Sequence, residues 1–172
     1  AGFQIKNKKI IDVFADYTIL ATGGLGQVYE HTTNPTISTG DGLSMGYKAK
    51  VQFKDLEFVQ FHPTAFKYRN ASRFLISEAV RGEGAYLVNE KGERFMKKIH
   101  KLAELAPRDI VARGIYNESK KSEVFLDISH QNPSETKARF PQIYQNLQKY
   151  GYDLTKDLIP VTPAAHYACG GI

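Results

Sequence analysis

Leu56-Glu57-Phe58-Val59-Gln60-Phe61-His62-Pro63 is the stretch on which the reading of this chain turns. Apolar and polar residues alternate from Leu56 to Phe61, the period of a half-buried strand, and His62-Pro63 reads as its stop. Upstream lie short β-rich runs punctuated by glycine. Phe3-Gln4-Ile5 and the run from Ile10 to Phe14 read as strands about a turn at Asn7-Lys8-Lys9, and Tyr17 to Thr22 reads as a buried strand ending at Gly23-Gly24. The turns Asn34-Pro35 and Thr39-Gly40-Asp41-Gly42 lead into a small-residue helix expected over 43–50. Downstream the pattern is α+β. It predicts a helix over 73–80, hairpin arms at 85–88 and 93–95 about Asn89-Glu90-Lys91-Gly92, and a helix opened by Pro107 at its first position and running to about 120. A strand over 124–128 and one or two helices over 133–150 follow, broken near Pro141 and closed by Gly151. The expected boundary is near residues 48–55, between a glycine-punctuated α/β tail and an α+β unit of roughly 110 residues.

Composition sets the outer limits. The 172 residues are 42% hydrophobic and 24% charged, enough for a packed core and unlike collagen, coiled coils or low-complexity chains. The formal charge is +5, but the basic pairs Lys8-Lys9, Lys97-Lys98 and Lys120-Lys121 are separated by acids. They read as solvated faces, so no nucleic-acid partner is expected. One cysteine excludes an internal disulfide and a cysteine-based zinc cage. No apolar run approaches the ~20 residues of a membrane-spanning helix, so no membrane partner is expected. The ends, Ala1 and Gly170-Gly171-Ile172, read as those of a piece of a longer chain.

Four constellations carry candidate chemistry. Ala21-Thr22-Gly23-Gly24-Leu25-Gly26 follows an expected strand, where bare backbone N–H groups can approach a cofactor, or simply form a tight turn. His62-Pro63-Thr64 leaves an imidazole at an expected strand rim, either as a carboxylate donor or satisfied by local backbone. Ser77-Glu78-Ala79-Val80-Arg81-Gly82-Glu83-Gly84 sets Ser77 and Arg81 on one helical face with Glu78 three residues from Arg81. It reads as a site at a helix end or as a surface ion pair. In Pro107-Arg108-Asp109, an arginine faces the positive end of a helix dipole; it either pairs with Asp109 or Glu104, or clamps a carboxylate. His166, between Pro163 and Gly170-Gly171, repeats the imidazole in a rigid loop. Two histidines, a serine and arginines form an all-donor set suited to a dicarboxylate. Two distant histidines without a third ligand are a poor metal site, and no metal is expected.

In order and spacing these segments closely resemble the flavoprotein family of succinate dehydrogenase, fumarate reductase and L-aspartate oxidase. The resemblance rests on Ala21-Thr22-Gly23-Gly24, Thr39-Gly40-Asp41-Gly42, Glu57 to Thr64, Ser77-Glu78 with Arg81-Gly82-Glu83-Gly84, Pro107-Arg108-Asp109, and His166-Tyr167 with Gly170-Gly171. Glu78 to Tyr86, Phe125 to His130 and Pro163 to Gly171 are most similar to the L-aspartate oxidase branch. The resemblance implies the capping domain of a fumarate reductase-type flavoprotein over 51–160. Residues 1–50 would be a β-rich tail of the FAD-binding α/β domain, and 161–172 a return segment toward it. It implies FAD contacts at Ala21, Thr22, Gly23, Gly24, Gly40 and Asp41, and substrate contacts at His62, Ser77, Glu78 and His166, with Arg108 as the catalytic residue near the reacting carbon, the proton donor in fumarate reduction. Ser77 stands where many relatives have threonine, with the hydroxyl kept.

The implied reaction is FAD-dependent oxidation of L-aspartate to iminoaspartate, with oxygen or fumarate as acceptor, in cytoplasmic NAD biosynthesis, and a possible hand-off to quinolinate synthase. The family's GxGxxG would lie upstream of this stretch and a second substrate arginine downstream, so the stretch alone is expected to be inactive. Two competing expectations stand: a fumarate reductase or succinate dehydrogenase subunit, and a cap that serves only as a folded module.

Overall fold

A computed structural model describes residues 2–4, 9–68 and 74–172. Its centre is a four-stranded antiparallel sheet in the order β3-β6-β5-β4, formed by β3 (Val59–Phe66), β4 (Tyr86–Asn89), β5 (Val124–Asp127) and β6 (Ile159–Ala168). Helix α3 (Arg108–Ser119) lies against β3 and β6 and buries Val111, Ala112, Gly114 and Ile115. Around this sheet Phe66, Ile76, Val80, Leu87, Met96, Leu126, Leu147, Leu154 and Ile159 form one apolar core. Phe74, Tyr150 and Tyr152 ring Phe66, with centroids 5.0–5.5 Å away.

Local chemistry explains most of the helices. Asn132 caps α4 (Pro133–Arg139) by accepting from Ser134 N and Glu135 N, and Pro133 and Pro141 each open a helix, so α4 and α5 (Pro141–Gln148) are two helices broken where proline removes the N–H. Ser77 caps α2 (Glu78–Gly82) by accepting from the N–H of Ala79. Gly40, at φ 79°, turns the chain into α1 (Asp41–Lys48), a conformation that favours glycine.

Several expectations are corrected. Residues 17–22 form no strand; among the described residues nothing pairs with them, and Tyr17 and Ile19 stand 92% exposed. An apolar run alone does not make a strand when no neighbour supplies ladder hydrogen bonds. The strand at Val59 does not stop at His62-Pro63. It continues to Phe66, because Pro63 falls in a register break between His62 and Ala65, where the ladder needs no N–H. The turn at Asn89–Gly92 forms, but residues 93–95 make no second arm. Phe95 and Met96 instead enter the core on a 3₁₀ turn (Phe95–Lys98), and β4 takes β5 as its partner. The helix expected over 73–80 begins at Glu78, and Pro107 is its successor's N-cap rather than its first residue. Ile5, Asn7, Lys8 and Arg73, used in the expected elements, lie outside the described residues.

The N-terminal strip carries a ladder of its own and also reaches the central sheet. A small ladder joins β1 (Gly2–Gln4) to β2 (Lys9–Ile11). Further on, His31–Asn34 runs parallel to β6: Ala165 N donates to His31 O (2.8 Å) and Thr33 N to Ala165 O (3.1 Å). Lys54 and Gly171 exchange both backbone hydrogen bonds, at 2.9 and 3.0 Å. Strand β6 runs unbroken across residue 160, where a boundary was expected.

Candidate active site

The site is assembled where β3, β6, α2 and the start of α3 converge. His62 is buried within β3 at 1% exposure rather than on a rim. Its Nδ1 accepts from the N–H of Thr64 (3.2 Å), which leaves Nε2 to carry the ring proton. Thr64 in turn binds Ile76 through both hydroxyl and backbone, and so fixes the chain one residue before Ser77. Burial, with Arg81, Arg108 and His166 nearby, pushes His62 down to about 3, so the ring is neutral at ordinary pH.

His166 lies on β6, not in a loop, and meets His62 edge-on with ring centroids 5.5 Å apart. Continuity of β6 makes this possible: Ala164 pairs with His62 directly across the ladder. Burial, with Arg108 nearby, lowers the pKa of His166 too.

Arg108 pairs with neither Asp109 nor Glu104. Asp109 is taken by Arg113 one turn on, and Glu104 by Arg94. Arg108 reaches across to β3 and α2, with Nε donating to Glu78 Oε2 (2.5 Å) and Nη1 to Gln60 Oε1 (3.0 Å). The hydrogen bond and charge of Arg108 hold Glu78 below the usual carboxylate range. Glu78 also lies 4.0 Å from Arg81, so one carboxylate sits between two guanidinium groups.

Arg81 is the side chain that sequence reading undervalued. It is buried to 1% exposure, and Nη1 donates to the backbone oxygen of Glu104 (2.5 Å). That oxygen is well placed because the Glu104 carboxylate is clamped: Arg94 binds it through two nitrogens (3.1 and 2.8 Å) and Leu87 N through a third bond (3.2 Å). Arg81 Nε and Nη2, like His62 Nε2, are buried with no hydrogen-bond partner, Nη2 being the atom that lies 4.0 Å from the Glu78 carboxylate. Gln60 was also missed as a site residue; its alternation with Phe61 marked it only as the polar face of a strand. The Ser77 hydroxyl oxygen is occupied by capping, and Ser77 and Arg81 are not one helical turn apart because Ser77 precedes the helix.

Two clefts adjoin this cluster. One, of about 870 Å³, is largely apolar and opens on Arg108, Gln60, Phe61, Tyr116 and Pro163, without His62 or His166 in its wall. The other, of about 680 Å³, is lined by Ala21, Thr22, Gly23 and Gly24 on one side and by His166 and Tyr167 on the other. Its floor is crowded in a way only glycine allows: a Cβ on Gly42 would run into the Thr22 side chain, and one on Gly26 into Asn34. Gly40 N donates to Gly24 O (3.2 Å), which joins the two expected cofactor segments, and Asp41 opens α1 beside them. A wall of small residues and bare backbone beside the His166 imidazole fits a flat anionic cofactor.

The sequence profile described as "FAD binding domain" matches residues 2–172. The chain belongs to this FAD-binding family. Within it, the chain is 51% identical to L-aspartate oxidase 1 of Ralstonia nicotianae over 97% of its length and 32% of the relative's. It is 49% identical to L-aspartate oxidase of Acinetobacter baylyi, covering 97% of this chain and 31% of that one. Among solved structures, a quinol-fumarate reductase with menaquinol matches at TM-score 0.82 and 38% identity, over 89% of this chain and 30% of that chain. The chain thus spans about a third of the length of the curated relatives it matches. FAD is the cofactor this family implies, and the Ala21–Gly24 wall is where the residues suit it. Among the described residues, no group of three or more metal-ligating side chains is present, and no helix is long and apolar enough to cross a membrane.

Proposed function

We propose that this chain carries the dicarboxylate-binding residues of an FAD-dependent L-aspartate oxidase. The observation that carries the reading is the set of buried nitrogens without a hydrogen-bond partner: His62 Nε2, Arg81 Nε and Arg81 Nη2, the last only ion-paired to Glu78 at 4.0 Å. Buried donors left unpaired are costly, and each demands an acceptor. They surround a cluster with two guanidinium groups against one carboxylate, formally +1. Aspartate brings two carboxylates, which are acceptors only.

In this reading His62 and His166 donate to substrate carboxylate as neutral rings, so they bind without carrying a titrating charge. Arg108, held by Glu78 and Gln60, presents its remaining N–H edge to the reacting carbon. There it orients the substrate, and where fumarate is the acceptor it is the group that donates a proton to carbon. Ser77 supplies a further hydroxyl at the α2 cap. Ala21, Thr22, Gly23, Gly24, Gly40 and Asp41 line the cofactor side. FAD, when bound, supplies the redox chemistry, accepting the hydride from Cα as aspartate becomes iminoaspartate. Oxygen or fumarate is the terminal acceptor.

Residues 51–160 then form a cap over the flavin, flanked by flavin-domain segments at 1–50 and 161–172. The backbone pairing of His31–Asn34 with β6 supports a close union of the flanking segments, and that of Lys54 with Gly171 ties the start of the cap to the return segment. The enzyme acts in the cytoplasm and passes its labile imine to quinolinate synthase. A fumarate reductase would use the same donors, and the fold likeness to quinol-fumarate reductase keeps that reading as the second. A purely structural cap fits poorly with the 5.5 Å approach of the two imidazoles. The test is turnover of the full-length, FAD-loaded enzyme that contains this chain, on L-aspartate against succinate. Peroxide produced with aspartate and not with succinate supports the proposal; the reverse overturns it.

A further inference from the structure

We infer that Thr33 is a positioning residue that locks His166 as the tautomer protonated on Nε2. The lone pairs of one carbonyl decide it. Ala165 O accepts from Thr33 N (3.1 Å) and from the Thr32 hydroxyl (3.1 Å). A carbonyl oxygen has two lone pairs, and these two donors fill them. The Thr33 hydroxyl lies 3.4 Å from the same oxygen but only 2.9 Å from His166 Nδ1. Its proton therefore goes to Nδ1, and the ring proton of His166 resides on Nε2.

The backbone makes this geometry stiff. Asn34 Nδ2 donates to His166 O (2.7 Å), so consecutive residues 32, 33 and 34 grip Ala165 and His166 from one side. Asn34 itself is held by the close approach of Gly26. The outcome parallels His62, whose Nδ1 is occupied by Thr64 N. Both imidazoles become neutral Nε2–H donors, one locked by backbone within its own strand and the other by a hydroxyl from the N-terminal strip. Thr33 and His166 both line the cleft that contains Ala21–Gly24, so the lock couples the proposed cofactor wall to the proposed substrate donors.

The functional consequence rests on the dicarboxylate reading above. A His166 protonated on Nδ1 would offer a lone pair to a carboxylate and repel it. The test is long-range proton–nitrogen NMR of ¹⁵N-histidine-labelled, FAD-loaded protein, with His166→Gln used to assign the ring. The nitrogen shifts of the neutral ring in the parent should report Nε2–H and no Nδ1–H, and Thr33→Ser should preserve this. Thr33→Val should give a mixture of tautomers and a His166 that protonates at higher pH, because the hydroxyl no longer stabilises the neutral ring. Succinate, as a non-reacting probe, should bind the valine variant about tenfold more weakly. An Nδ1–H signal in the parent overturns the inference whatever the variants do. An Nε2–H signal that succinate leaves unmoved supports the lock and counts against the dicarboxylate reading.

Discussion

Replacing Arg108 with lysine keeps a positive charge and removes the fork, and the structure sets what that costs. The guanidinium is held at two ends, to Glu78 through Nε and to Gln60 through Nη1. Lysine has one terminal nitrogen, so it keeps Glu78 and abandons Gln60. Losing the Gln60 bond costs about 1 kcal/mol, roughly fivefold. The larger loss is placement: a displacement of about 1 Å at a reacting centre costs about 10²-fold. We expect kcat on L-aspartate to fall at least 10²-fold in Arg108→Lys. Thermal stability and flavin absorbance should be nearly unchanged, since the side chain is one-third exposed.

If Gln60 acts only by holding Arg108, Gln60→Ala should lower kcat in the parent and do nothing further in the lysine variant. Peroxide-coupled kinetics on the four proteins of this cycle decide the matter. A lysine variant within about threefold of parental kcat refutes the reasoning, and so does full additivity with Gln60→Ala.

His62→Ala should raise KM for aspartate tenfold or more with a smaller effect on kcat, because a neutral donor binds and does not transfer the proton; steady-state kinetics resolve the split. Because His62 has a folded pKa of about 3 against 6.5 unfolded, the unfolded chain takes up the proton first as pH falls. Its burial should therefore cost about 2 kcal/mol of stability between pH 6.5 and 5, and urea melts of His62→Gln should lack that portion of the slope. Glu104→Gln keeps the Leu87 bond but loses the charged clamp on Arg94, and should destabilise by about 1–3 kcal/mol in denaturant titration. Gly170→Ala would drive a Cβ into the backbone of Lys54 and Asp55 and should cost about 2–3 kcal/mol, visible as a lowered Tm.

What could be read before folding, and what could not, divides along physical lines. The helices at α3, α4 and α5 were legible because proline, asparagine and apolar spacing act within a few residues. The glycine wall at Ala21–Gly24 and the residue types of the site were legible for the same reason. The course of β3 past Pro63 was not, since a register break exists only relative to β6. Nor was the unpaired state of residues 17–22, because a strand needs a neighbour and its apolar pattern does not name one.

Sequence by itself supplied the polar groups: His62, Ser77, Arg81, Arg108 and His166 can each donate a hydrogen bond, the arginines as donors only. Only the tertiary structure decided which of them pair. Arg108 crosses thirty residues to Glu78 and forty-eight to Gln60, passing over the nearer acids Asp109 and Glu104. His166 meets His62 because β6 lies against β3, and Thr33 meets His166 across 133 residues. Hydrogen bonds and ion pairs choose partners by distance in space, and that distance is set by sheet pairing and core packing rather than by order along the chain.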